Sequence, residues 1–417
     1  METSTFDPAI GREFIDRVQS LARHSDSSAH YTRTYLTPAH QGAARQIAEW
    51  MRAAGMAVRI DAVGSVIGRY ASAAPDAKTL LMGSHFDSVR NGGKYDGVLG
   101  ILVPIACVAE LHRRGERLAV AVEIAAFADE EGARFQTSFL ASRALVEGTA
   151  CLTPLLERRD ADGVALGEAM GAAGLDPARA DRDRVDPATL AAYVEIHIEQ
   201  GPVLLNEGHA LGVVTSIAAG TRHLLQVKGA AGHAGTVPMA MRHDALTAAA
   251  EMVLAIEARA AAGGSLVATV GILKVKDGTG NVIPGDVEFT ADVRAPDGAT
   301  LVAGREAMFA ACASIAKRRG VSLAIDQTHE VEAAPCAARL QDQIAAAIER
   351  VVPGRKARRL PSGAGHDAMI LAKVTDVGML FVRCGAGGVS HNPAETVSSD
   401  DAALAIAALL VFLRHFR

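Results

Sequence analysis

Two near-continuous apolar runs, residues 79–84 and 118–127, bracket a stretch at 98–113 whose apolar residues recur at helical spacing. A strand-length run with no polar face must be covered on both sides. A buried strand, a helix and a second buried strand therefore predict a parallel pair joined by a helical crossover, the unit from which α/β sheets are built. Upstream, residues 6–24, with Phe14, Val18 and Leu21, and residues 38–54 carry helical patterns, while 58–60 and 65–70 read as short strands.

Further along the pattern changes. Residues 157–187 are polar and charge-rich and read as surface helices and loops without chemistry. From Arg222 the order is strand 223–228, helix 242–260, strand 266–274, strand 286–293, helix 300–318 and strand 322–326. That βαββαβ order is the ferredoxin-like signature. The chain then returns to α/β material, with a helix at 340–351, a strand at 377–382 and a last helix at 400–415 that Ser398 or Ser399 would cap. The expectation is an α/β catalytic domain with a mostly parallel sheet, formed by residues 1–216 and 330–417, with an inserted ferredoxin-like domain at 217–329.

Composition agrees with a chain of two or three domains: 417 residues, 49% of them apolar, suffice for large cores. With 42 Lys and Arg against 47 Asp and Glu, the net charge of −5 excludes a broadly basic nucleic-acid binder. The best apolar run, 402–413, is shorter than the ~20 residues a membrane span requires, so it reads as a buried helix and no membrane partner is expected. The opening METSTFDPAI has no basic segment followed by an apolar one, and a cytoplasmic protein is expected. Five cysteines, Cys107, Cys151, Cys312, Cys336 and Cys384, form no CxxC pair and are expected to be reduced thiols.

Chemistry concentrates at strand ends. In MGSHFDSVRNGGKYDGVLG, residues 82–100, His85 and Asp87 follow an apolar strand and Asp96 comes eleven residues after His85. Open parallel sheets bind ligands at such ends, and imidazole with carboxylate suits a divalent cation. Asp87 would then accept the second imidazole proton of His85 and fix its ring. The alternative is an ordinary turn with one exposed histidine. In AAFADEEGARF another apolar strand ends in Asp129, Glu130 and Glu131, which repel one another unless cations or donors neutralise them. One glutamate would hold metal and its neighbour act as a base; the bland alternative is a solvated, acidic helix start. His197 in YVEIHIEQGPVLL and His391 in CGAGGVSHNPAE each border Gly and Pro turns. Four loops with such residues are most economically explained by one shared metal site.

The motifs GSHFDSVRNGGKYDG, DEEGARF, EIHIEQGPVL, GAAGHAGTVPM, GNVIPG, SGAGHDA and GGVSHNPAE follow one another over nearly the whole chain. Together they resemble the M20 metallopeptidase superfamily, and more closely its hydantoinase/carbamoylase amidase branch of N-carbamoyl-L-amino-acid hydrolases, β-ureidopropionases and allantoate amidohydrolases. The resemblance implies a zinc-peptidase-like catalytic domain with two divalent ions per subunit, Zn2+ or else Mn2+, Co2+ or Ni2+. One would be held by His85 and His197, the other by Glu131 and His391, with Asp96 bridging both and Glu130 as general base. It further implies His233 as oxyanion donor, in branch members often from the partner subunit; Asn281 and Arg294 as binders of a substrate carboxylate; and Gln200 and His366 as further substrate contacts. Without the resemblance, His233 reads as an exposed turn histidine, Arg294 as a surface arginine and His366 as a helix N-terminal residue.

Peptidases and aminoacylases of the wider superfamily usually carry an acid where His197 stands, so the histidine favours hydrolysis of ureido compounds over dipeptidase or aminoacylase activity. The implied substrate is a small ureido acid, first an N-carbamoyl-L-amino acid, with allantoate, ureidoglycolate or β-ureidopropionate as alternatives. The implied assembly is a homodimer through the inserted lid domain. The chain departs from many branch members at Arg383, Cys384 and Gly385, where Pro-Ser-type residues are more frequent. A competing class, a non-catalytic binding protein on the same fold, would have no use for Glu130.

Overall fold

A computed structural model describes residues 8–417, so the first two residues of the helix expected at 6–24 lie outside the described part. The chain divides into two compact units. One runs through Thr215 and resumes at Cys336–Leu360 and Gly365–Arg417; the other comprises Ser216–Pro335 and Pro361–Ala364.

Among the described residues, seven strands of a nine-stranded sheet lie side by side in the order Ala57–Ile60, Val66–Tyr70, Ala121–Phe127, Thr79–His85, Leu190–Ile198, Val377–Val382 and Leu211–Ile217, and short strands Ala334–Pro335 and Arg358–Ser362 pair with the last. The four in the middle are mutually parallel, and the outer ones pair antiparallel. Every residue of Thr79–His85 and of Val377–Val382 is buried, as strands covered on both faces require. Helix Val98–Arg113 supplies the crossover between Thr79–His85 and Ala121–Phe127. The expected strand at 118–127 starts later because Leu118 is buried in the preceding turn, where its carbonyl accepts from the Ala73 N–H at 3.0 Å. Helix Ser399–His415 is apolar on all sides and buried along most of its length, packed on Pro8–Ala22, Val98–Arg113 and Ala338–Val351. Ser398 caps it by accepting from the Asp401 N–H at 3.0 Å.

The second unit orders strand Ala219–Lys228, helix Ala245–Ala261, short strands Val267–Thr269 and Leu273–Val275, strand Asp286–Ala295, helix Gly298–Arg319 and strand Ser322–Val331. Its sheet runs Leu273–Val275, Asp286–Ala295, Ala219–Lys228, Ser322–Val331, with every neighbour antiparallel. Residues of Asp286–Ala295 alternate between buried and half-buried, so one face meets the core. Against that face the first helix lays Ala245, Ala248, Ala249, Met252 and Ile256, and the second lays Leu301, Met308, Cys312 and Ile315. Asp244 caps the first helix through the Leu246 and Thr247 N–H groups, which moves its start from 242 to 245. Helix Gly298–Arg319 is long and apolar enough to span a membrane by length and composition alone, a segment the sequence reading passed over; its buried stripe belongs to this unit's core.

The strand expected at 266–274 is broken. Thr269 pairs with Asp292 and Leu273 with Phe289, so the three residues 270–272 face the two residues 290–291. The extra residue is a bulge around Gly271, which the Ile272 carbonyl steadies by accepting from the Thr290 N–H at 3.0 Å. All five cysteines are free and buried.

Candidate active site

The parallel strands of the first unit deliver their ends to one place. His85 is the last residue of its strand, and its Nδ1 faces Asp87, 3.2 Å from the carbonyl and 3.3 Å from the carboxylate. The buried Asp87 carboxylate also accepts the Glu130 N–H at 3.0 Å and the Glu131 N–H at 3.2 Å. One aspartate thus orients a histidine and holds two consecutive glutamates. The three acids do not start a helix. They sit in a loop closed by Phe139 N–H to Glu130 O at 2.7 Å, and the helix begins only at Leu140. The solvated-helix alternative fails for that reason; Asp129 and Glu130 are buried.

Asp96 lies at the centre. Its Oδ1 is 3.3 Å from His197 Nε2 and 3.8 Å from His85 Nε2, while its Oδ2 is 3.2 Å from His391 Nε2, which is in turn 3.4 Å from Glu131 Oε1. The His197 Nδ1–H donates to the Ile198 carbonyl at 2.9 Å, which leaves Nε2 as the free lone pair facing Asp96. Gly97, at φ 66°, follows Asp96 where a Cβ would strike the His85 carbonyl and ring. Ligand atoms of His85, Asp96 and His197 lie within 4.8 Å of one another, as do those of Asp96, Glu131 and His391. Two triads share one carboxylate, an oxygen turned to each.

Electrostatics supports cations there. Burial pushes the Asp96 carboxyl up, but the hydrogen bond from His391 and the imidazoles of His197 and His85 outweigh it and hold Asp96 well below the usual range. Burial and the Asp96 charge push Glu131 up to about 7. Burial drives Glu130 well above the carboxylate range, with His85 opposing and Glu131 adding to it. Burial lowers His197 to about 4, so it is neutral and ready to ligate. A buried cluster of imidazoles and carboxylates whose ligand atoms converge in two groups fits divalent ions in kind and in donor set.

Other residues singled out from sequence fall as follows. Gln200 donates through Nε2 to both Asp96 oxygens, at 3.3 and 3.2 Å, and to Ser390 Oγ at 3.3 Å. His366 is buried with its ring edge-on to His197, centroids 4.5 Å apart, before the short helix Ala368–Leu371. In the second unit His233 is exposed and pairs with Val282, beside Asn281, whose carbonyl accepts the Ala234 N–H. The Arg294 fork rests on Asp292, at 2.8 and 3.1 Å, and on the Gly363 carbonyl at 2.8 Å. Arg383 forks onto Asp401 at 2.7 to 3.1 Å, and Cys384 is wholly buried, its thiol pushed up to about 12 by burial. Arg383 thus serves the start of the last helix.

Three residues escaped sequence reasoning. Glu195 shares a strand face with His197 and is wholly buried; its signal was a lone acid in an apolar strand, two residues before the histidine. Ser390 and Glu395 stood inside GGVSHNPAE, yet nothing local says that Glu395 accepts the Tyr95 and Asp96 N–H groups at 3.0 and 3.1 Å.

Known proteins share this architecture. The allantoate deiminase of Arabidopsis thaliana is 39% identical over 96% of this chain and 81% of its own length. The N-carbamoyl-L-amino acid amidohydrolase of Geobacillus stearothermophilus is 41% identical over 90% of this chain and 91% of its own. The crystal structure of a hydantoinase/carbamoylase family amidase from Burkholderia ambifaria superposes with a TM-score of 0.88 at 35% identity, covering 97% of this chain and 96% of that one. The family model of peptidase family M20/M25/M40 matches residues 75–415. On this match, and on relatives similar along almost all of its length, the chain belongs to the M20 family.

Proposed function

We propose that the protein is an amidohydrolase that cleaves the C–N bond of linear ureido acids, with N-carbamoyl-L-amino acids as its first substrates. The observation that carries this reading is Asp96 shared between two triads of ligand atoms, with Glu130 beside them held by Asp87. His85 and His197 would hold one cation, Glu131 and His391 the other, and Asp96 both. Divalent ions held there would polarise a carbonyl, acidify water and lower the neighbouring carboxyls into their charged range.

The chain's own residues do the rest. Glu130 takes the proton from the attacking water and returns it to the departing nitrogen. Asp87 keeps the Glu130 backbone and the His85 ring in place. His233 donates to the carbonyl oxygen as negative charge builds on it. Arg294 and Asn281 bind the substrate carboxylate, which would take the place of the Asp292 carboxylate on the Arg294 fork. For an N-carbamoyl amino acid the products are ammonia, carbon dioxide and the free amino acid.

Allantoate is the second reading, favoured by the near-equal likeness to an allantoate deiminase. A panel of N-carbamoyl-α-amino acids, N-carbamoyl-β-alanine, allantoate and ureidoglycolate, assayed for ammonia on metal-reconstituted protein, ranks them. Glu130→Gln is expected to lower turnover of the best substrate by at least about 100-fold. Retained turnover would remove Glu130 as the base, and no turnover by the unaltered protein on any ureido acid would favour a binding protein.

We further propose that the second unit is a lid and dimerisation domain. Supporting this, Leu254 is exposed on helix Ala245–Ala261, Val267 and Leu273 on the two short strands, and Ile272 in the bulge between those strands.

A further inference from the structure

We propose that Glu395 is the positioning residue that fixes Asp96 between the two ligand triads, and that residue 93 is glycine to make room for it. The inference rests on the reading of Asp96 as the carboxylate shared by two cations. Glu395 is 1% exposed. Its Oε1 accepts two consecutive backbone N–H groups, Tyr95 at 3.0 Å and Asp96 at 3.1 Å. Its Oε2 accepts Ser390 Oγ at 2.7 Å, and Ser390 immediately precedes His391. Ser390 Oγ also lies 3.4 Å from Asp96 Oδ2, and Gln200 donates to both residues.

A carboxylate buried beside other carboxylates is costly unless its oxygens meet donors. Here all three donors come from the two loops that carry Asp96 and His391, segments about 300 residues apart in sequence. Glu395 therefore acts as a clamp. It fixes the peptide from which the Asp96 side chain departs, and it ties that peptide to the neighbour of His391. Outer hydrogen bonds of this kind hold metal ligands in register.

Gly93 is an independent witness. Its φ lies outside the left-handed region, so the backbone there does not call for glycine. A Cβ on it would nevertheless fall inside contact distance of the Glu395 carboxyl carbon and both its oxygens. An alanine at 93 would push the carboxylate off the two amides without straining the main chain.

The test uses the full chain, stripped of metal and titrated with Zn2+ against a chromophoric chelator, alongside the thermal midpoint of each metal-free variant. Glu395→Ala and Gly93→Ala are expected to weaken zinc binding by about 10- to 100-fold, and Glu395→Ala also to lower the metal-free midpoint, because the buried Tyr95 and Asp96 N–H groups lose their acceptor. Glu395→Gln keeps an oxygen for both amides and should bind nearly as tightly as the original. Zinc binding unchanged in Glu395→Ala would overturn the proposal. Should that variant fail to fold, Gly93→Ala decides: unchanged binding there overturns the proposal too. If the unaltered chain itself binds no zinc, the reading of Asp96 as a shared ligand fails, a result separate from either.

Discussion

Glu195 shows how far a single buried acid can bias the whole molecule. Its oxygens accept from Ser84 Oγ at 2.8 Å, Tyr193 OH at 3.2 Å and Ala368 N–H at 3.0 Å, yet burial pushes its carboxyl up to about 8. The folded chain then keeps a proton that the unfolded chain releases near its ordinary value. Stability from that proton is fully present below about pH 4.5 and is lost as pH rises through about 8. In metal-stripped protein, Glu195→Gln should therefore be the more stable form at pH 8, by roughly 1–3 kcal/mol, and close to the original at pH 5. Urea midpoints at the two pH values measure it; an equal change at both would tie the effect to packing. The imidazoles and acids at the strand ends were legible in sequence because histidine and consecutive acids are rare beside glycine turns. Glu195 and Glu395 were not. A lone acid carries no sign of what it will meet, and Glu395 meets its partners only after residues about 300 positions away have folded beside it.

At the scale of elements, the pair Arg383–Asp401 ties the turn after a central strand to the first turn of the last helix, where Ser398 Oγ also reaches Asp401 at 2.8 Å. Removing one partner of a half-buried, forked pair leaves the other poorly compensated. Arg383→Ser is expected to cost roughly 1–3 kcal/mol of stability in denaturant titrations. KM for the best ureido acid should stay unchanged, because the guanidinium is engaged with Asp401; a marked rise in KM would move Arg383 into the substrate pocket. Elements with strong apolar periodicity could be read from sequence to within a few residues. Helix Ala245–Ala261 and strand Val377–Val382 are examples. The failures lie where side chains override pattern. A bulge splits the apolar stretch at 266–274, and the acids after Phe127 close on Asp87 and Thr137 instead of entering a helix.

For the whole molecule, the proposed pairing makes a direct prediction. Leu273–Val275 is an edge strand with its backbone open to another chain, and Leu273 and Val267 are exposed beside it. Sedimentation should give twice the chain mass, and Leu273→Lys should shift it towards a single chain; a single-chain mass for the unaltered, active protein would end the dimer proposal. The burial of every thiol carries a different consequence. Cys312 belongs to the second unit, whereas Cys107, Cys151, Cys336 and Cys384 belong to the first. Alkylating reagents attack only the exposed thiolate, so the native chain should resist them and each sulfur should become reactive when its own unit opens. Pulse labelling in rising urea, read peptide by peptide, would thus time the two halves separately, with Cys312 as the only clock of its half and no probe to be engineered.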